Sequence, residues 1–102
     1  MQPFEIWLAQ FLWNGCEDPR PWLITKILPD GRINCFPIST KDYDPTAFEV
    51  QSTDSDFPAT GLRATSYIHD FREFPLPASA FMRRWGVLSG DLLKRFRESA
   101  GL

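Results

Sequence analysis

A mainly antiparallel β fold closed by a C-terminal helix, a small SH3-like barrel of the α+β class, is what these 102 residues predict. Three observations predict it. Short runs rich in β-branched and aromatic residues recur between turn signals, as strands of a small sheet do. One turn signal, Pro29-Asp30-Gly31-Arg32, joins two such runs directly and makes them an antiparallel hairpin, since proline presets its φ and glycine accepts positive φ. The C-terminal segment then changes period: Leu88, Leu92 and Phe96 recur at i, i+4 and i+8. The length fits one domain spanning 1–102, and 43% hydrophobic residues, with nine Phe and four Trp, suffice for one compact core.

Taken in order, residues 4–13 alternate as a strand. Phe4, Ile6, Leu8 and Leu12 share one face, and Trp7, Ala9, Phe11 and Trp13 the other. Both faces are apolar, so this strand is expected to be covered on both sides, by a helix or a second subunit. Residues 14–19 read as a loop. Strands over 22–28 and 33–38 flank the Pro29–Arg32 turn, and 46–51 alternates as a half-exposed strand. Five acidic and no basic side chains lie in 42–56, which suggests an acidic exposed rim. Pro58-Ala59-Thr60-Gly61 reads as a turn, 62–68 as a strand and 71–76 as a short extended piece. Ala78 to Trp85 reads as a short helix stopped by Gly86. Ser89 is a fitting N-cap for the final helix, Asp91 adds negative charge to its first turn, and Leu93 and Ala100 widen its apolar stripe. No internal repeat, low-complexity segment or linker interrupts the chain.

Several function classes are disfavoured by composition. No run approaches the ~18 uncharged apolar residues of a membrane span, and the N-terminus lacks a signal-peptide pattern. Cys16 and Cys35 alone make neither a disulfide framework nor a four-ligand zinc site, so two reduced thiols in a cytoplasmic protein are expected. With no His/Cys cluster, no calcium-loop pattern and no phosphate-binding glycine loop, no metal and no cofactor are expected. The net charge of −2 is unusual for a nucleic-acid binder, but it is unevenly spread. Residues 1–80 carry six basic and eleven acidic side chains; residues 81–102 carry five basic (Arg83, Arg84, Lys94, Arg95, Arg97) and two acidic. That basic set suits an RNA strand or an acidic protein tail, or else the solvated face of a terminal helix.

The hairpin also carries the candidate chemistry. Arg20 precedes its first strand and Ser39, Thr40 and Lys41 follow its second, so antiparallel pairing brings them to the same sheet edge. A fixed guanidinium beside two hydroxyls suits phosphate, because it grips phosphate oxygens in bidentate fashion. An ion pair of Arg20 with Glu17 or Asp18, and a strand-end capping role for the hydroxyls, are the plain structural readings. His69 is the one histidine, and its titration near neutrality suits a general acid or base. Trp13 or Trp22 could stack on a base, with core burial expected for Trp22.

The same residues resemble the MazF/PemK (Kid) family of toxins from bacterial type II toxin–antitoxin systems. The early strand Glu5-Ile6-Trp7-Leu8-Ala9-Gln10-Phe11, Arg20-Pro21 with its hydrophobic strand, Pro37-Ile38-Ser39-Thr40, Gly61-Leu62-Arg63-Ala64-Thr65-Ser66-Tyr67-Ile68 and Trp85-Gly86-Val87-Leu88-Ser89-Gly90-Asp91-Leu92-Leu93 follow the family's order over roughly the whole chain. The resemblance implies a CcdB/MazF/PemK-like small barrel, a homodimer, a cognate antitoxin with an acidic disordered tail, and metal-independent endoribonuclease action on single-stranded RNA by 2′-OH attack. It matches Arg20 to the family's arginine and Ser39 to its hydroxyl residue, with Thr40 the alternative one register away. The catalytic set expected is then Arg20, Ser39, Thr40 and His69, and the RNA-contacting set Trp13, Pro21, Lys41 and Asp70. Two departures stand out. The family's aspartate position is filled by Phe71, and Asp70 aligns only with a one-residue slip. The loop Asn14-Gly15-Cys16-Glu17-Asp18-Pro19 is shorter and more acidic than the family's Gly-x-Glu loop. Two other functions fit the same fold. One is a non-enzymatic, CcdB-like gyrase poison, although this chain ends Ser99-Ala100-Gly101-Leu102 without that type's terminal tryptophan. The other is an inactive SH3-like interaction module.

Overall fold

A computed structural model describes residues 1–11, 18–41 and 45–102. The expectations for Trp13, Cys16 and Glu17 lie outside these residues. The described chain forms β1 (Glu5–Ala9), β2 (Arg20–Ile27), β3 (Ile33–Ser39), β4 (Phe48–Val50), α1 (Phe57–Thr60), β5 (Ser66–Ile68), β6 (Phe74–Leu76), β7 (Phe81–Val87) and α2 (Gly90–Ala100). All pairings among the strands are antiparallel, in the order β4-β5-β3-β2-β1-β7, with β6 pairing the start of β3. This is the mainly β architecture with a C-terminal helix that the sequence predicts.

The β2–β3 hairpin turns where expected. Gly31 takes φ 90°, and the Leu28 amide donates to the Arg32 carbonyl at 2.9 Å. Asp30 accepts from the Arg32 amide and from its guanidinium, which fixes the turn's geometry. The sheet buries both faces. On one, Ile6, Leu23, Phe36, Ile38, Val50 and Ile68 pack with Leu88, Leu92 and Phe96. On the other, Ala9, Trp22, Cys35 and Leu76 form a smaller cluster backed by Phe74 and Phe81. Burial of Trp22, with Phe74 edge-on at 5.7 Å, agrees with its expected place in the core. Helix α2 lays Leu92 and Phe96 onto the larger cluster, and the Phe96 ring meets Phe48 at 5.3 Å and Phe36 at 6.2 Å.

Four local expectations are corrected. Ala78 to Trp85 is not a helix: a 3-10 turn at Ala78–Ala80 leads into β7, because the open edge of β1 supplies backbone partners that outweigh local preference. Pro58–Gly61 is not a bare turn: Phe57–Thr60 forms one helical turn that Gly61 ends at φ 74°. Over the described part of the expected strand 4–13 only Glu5–Ala9 is strand, and 62–68 shortens to β5, with irregular pairing of β1 to β7 on either side of Trp7 and Leu8. The acidic stretch is only partly a rim. Asp54 pairs with Arg95, and Asp56 accepts from the Leu92 amide at 3.2 Å, so it caps α2 where the Ser89 side chain does not.

One close approach positions the residues that matter below. Gly86 of β7 lies against the carbonyls of Ala59 and Thr60, and Gly61 lies against the backbone of Trp85. Any Cβ at either position would overlap backbone atoms. Two glycines thus let α1 and β7 touch, which sets Leu62 and Arg63 beside Trp85.

Candidate active site

Arg20 is the first residue of β2 and is held from both sides. Its β1 partner is Ala9, and the pairing of Trp22 with Pro37 continues two residues on to bring Arg20 opposite Ser39. Ser39 ends β3 in a tight side-chain turn: its Oγ accepts the Lys41 amide at 3.0 Å, which directs Thr40 and Lys41 out of the sheet. Thr40 and Lys41 are exposed, while Arg20, Pro21 and Ser39 are half-buried.

These residues line one groove of about 530 Å³. Asp18, Pro19, Arg20 and Pro21 come from the start of β2, and Ile38 to Lys41 from the end of β3. Leu62, Arg63, Ala64, Ser66 and Trp85 complete it from the α1–β5 connection and β7. Among the described residues its charged groups are Arg20, Lys41 and Arg63 against the one carboxylate of Asp18. A cationic concavity with hydroxyls at its edge can hold a phosphodiester and stabilise negative charge on its oxygens.

The structure therefore brings together Arg20, Pro21, Ser39, Thr40 and Lys41, but not His69 or Asp70. His69 is fully buried and does not line the groove. Its amide donates to the Pro37 carbonyl at 2.9 Å, so it continues β5 opposite Pro37, on the sheet face that carries Trp22 and Cys35. Strand alternation puts His69 on the face of Pro37 and Trp22, which is also the face of Arg20 and Ser39 two residues further along, so it is burial and not the choice of face that keeps its ring out of the groove lining. Asp70 is half-buried beyond β5, its amide bonded to the Ile68 carbonyl at 3.1 Å, and it does not line the groove either.

Two groove residues carry no sequence signal of their own. Arg63 places its guanidinium 5.7 Å from the centroid of the Trp85 ring. Trp85 keeps a buried Nε1 with no hydrogen-bond partner among the described residues. The glycine-mediated contact of α1 with β7 sets the two beside each other, and that contact is invisible to local pattern. Away from the groove, burial, and then the nearby Glu73, push the Cys35 thiol far above its ordinary range, so this cysteine is not a nucleophile.

Neither a protein-family model nor a curated protein matches the chain. Solved structures do. A Mycobacterium tuberculosis toxin, MazF-mt6, superposes with a TM-score of 0.68 over 95% of this chain and 92% of its own, at 20% identity. The chain has the MazF fold. A second similar structure is an endoribonuclease in complex with its cognate antitoxin, from a mycobacterial species, with a TM-score of 0.68 over 97% of this chain and 89% of its own, at 12% identity. At these identities the likeness is one of fold. The MazF-like architecture of this chain places Arg20 and the Ser39–Lys41 turn at neighbouring strand ends of its sheet. Among the described residues no helix is long and apolar enough to cross a membrane.

Proposed function

We propose that this chain is the toxin of a type II toxin–antitoxin system and that it cleaves single-stranded RNA without a metal. The observation that carries the reading is the groove that unites Arg20, Ser39, Thr40 and Lys41, on a fold shared with a toxin and with an antitoxin-bound endoribonuclease. In the reaction the 2′-oxygen attacks the adjacent phosphorus and the bond from phosphorus to the 5′-oxygen breaks. The 2′-hydroxyl proton passes to a base, and the leaving 5′-oxygen takes up a proton. The products are a 2′,3′-cyclic phosphate and a 5′-hydroxyl. Arg20 stabilises the charge that grows on the non-bridging oxygens, a contribution typically of about 10²–10³ in rate. Ser39 or Thr40 donates a hydrogen bond to one of those oxygens, Lys41 neutralises a neighbouring phosphate, and Pro21 shapes the wall. With His69 enclosed, Asp18 is the one carboxylate among the described residues of the groove and takes the role of proton acceptor.

The partners we propose are a second copy of the chain and an antitoxin whose acidic tail occupies the cationic groove. Exposed Phe11, Ile27, Phe71 and Met82 supply apolar surface for association. Induction of the gene in a bacterial host tests the reading. Growth should stop, with internal breaks appearing in mRNA and DNA supercoiling unchanged. Arrest with intact RNA and inhibited gyrase would replace the nuclease with the non-enzymatic reading.

A further inference from the structure

The groove does not end at Trp85. Arg63 and Trp85 also line a second concavity of about 200 Å³, which Gly61, Arg83 and Arg84 complete. Three guanidinium groups thus surround one small cleft, in a chain whose net charge is −2. The basic excess of the C-terminal segment is in part gathered here rather than spread along α2: Arg83 and Arg84 sit on β7, paired with Leu8 and Trp7 of β1.

The three arginines differ in what already occupies them. Arg84 binds the Glu5 carboxylate at 3.0 Å. Burial pushes the Glu5 carboxyl up, but hydrogen bonds from Trp7, the Gln2 amide and Arg84 outweigh it and hold it ionised below its ordinary range. Arg63 is exposed and leans on the Trp85 ring. Arg83 is exposed and has no carboxylate partner among the described residues. Two cations are therefore available in one cleft. An anion with several acceptor oxygens would engage both, and a guanidinium leaning on an indole leaves its edge N–H groups open to receive it.

We propose that the cleft of Arg63, Arg83, Arg84 and Trp85 is a second phosphate subsite, which holds the backbone of the same single strand beyond the phosphate at Arg20. The inference rests on the RNA reading above and adds to it where the strand leaves the groove. Arg63 is the hinge between the two sites, since it lines both. The subsite makes affinity depend on strand length, because a short oligonucleotide reaches only the Arg20 site. It also adds to the salt dependence, by a slope of about 0.7 for each phosphate held on a single strand.

The test uses the whole chain and uncleavable 2′-O-methyl oligonucleotides, four and twelve nucleotides long and of mixed sequence, followed by fluorescence anisotropy at several salt concentrations. The wild-type protein should bind the longer strand more tightly. The R83A and R63A/R83A variants should lose that advantage, about tenfold for each charge-assisted hydrogen bond removed, with a smaller salt slope. The Arg83 side chain makes no ion pair or hydrogen bond with another described residue, so R83A keeps the test valid if removal of Arg63 disturbs Trp85. An unchanged length advantage in both variants overturns the proposal. So does a loss of binding to an acidic peptide with RNA affinity intact, which would give the cleft to a protein partner. Length-dependent binding that needs Arg83, in a protein that cuts no RNA, would sink the nuclease reading and leave the subsite standing.

Discussion

Replacement of Gly86 by alanine tests the contact that assembles the groove. Gly86 pairs with Ile6 in the sheet, and its open side faces the carbonyls of Ala59 and Thr60. The new methyl would overlap both carbonyl oxygens and the Thr60 carbonyl carbon. These are backbone atoms, so no side-chain rotation relieves the overlap. Either the α1 turn or β7 must move. Overpacking of this kind costs typically about 1–3 kcal/mol, and a clash with backbone alone belongs at the upper end, near 3. In a domain of this size each kcal/mol lowers Tm by roughly 4–8 °C, so a fall of about 12–24 °C is expected. Thermal unfolding followed by circular dichroism measures it. The sign is informative, because a compatible glycine-to-alanine change stabilises by about 0.4–1 kcal/mol through the unfolded chain. A Tm equal to or above that of the wild type would show that α1 and β7 do not approach as described. The route by which Arg63 and Trp85 reach the groove would fall with it.

Asp56→Ala should cost about 1 kcal/mol, the usual worth of a lost helix cap, because its carboxylate serves the Leu92 amide; urea unfolding checks this, and Ser89→Ala should cost less. The Asp54 carboxyl lies below its ordinary 3.8, held there by the Asp56 amide and then by Arg95. A depressed carboxyl contributes stability that is present above that ordinary value and is lost as pH falls through the folded one. Stability should therefore decline below about pH 4, and Asp54→Asn should flatten that decline in acid titrations of Tm. His69→Ala should lose about 2–4 kcal/mol from a filled interior site, while the folded fraction keeps its cleavage rate within a few-fold. A loss of 10²-fold or more at unchanged stability would restore His69 to the chemistry.

The hairpin was legible because its signals are local. Pro29-Asp30-Gly31 fixes the turn, and antiparallel pairing then brings Arg20 to Ser39 whatever the rest of the chain does. Helix α2 was legible for the same reason, since Leu92 and Phe96 mark its buried face without reference to anything beyond Leu88. What sequence reading missed depends on partners distant in the chain. Ala78–Trp85 has helical spacing and a glycine stop, yet β1 recruits Phe81–Val87 as an edge strand. Ser89 has the right chemistry to cap α2, but Asp56 arrives from another loop. His69 shares a sheet face with Arg20 and Ser39 but is fully buried, and that burial is decided by tertiary packing rather than by the local pattern. Arg63 and Trp85 lie far from Arg20 in sequence, and the close approach that sets them beside each other rests on Gly61 and Gly86.

The central claim is that Arg20 drives metal-independent cleavage by the 2′-hydroxyl. The measurement that tests it most directly is end-group analysis of a long single-stranded RNA incubated in EDTA with the wild-type protein and with Arg20→Ala. The account predicts wild-type fragments ending in a 2′,3′-cyclic phosphate and beginning with a 5′-hydroxyl, and about 10²–10³-fold slower cutting by a variant of unchanged Tm. Fragments with a 3′-hydroxyl, or an Arg20→Ala protein that cuts at the wild-type rate, would contradict it.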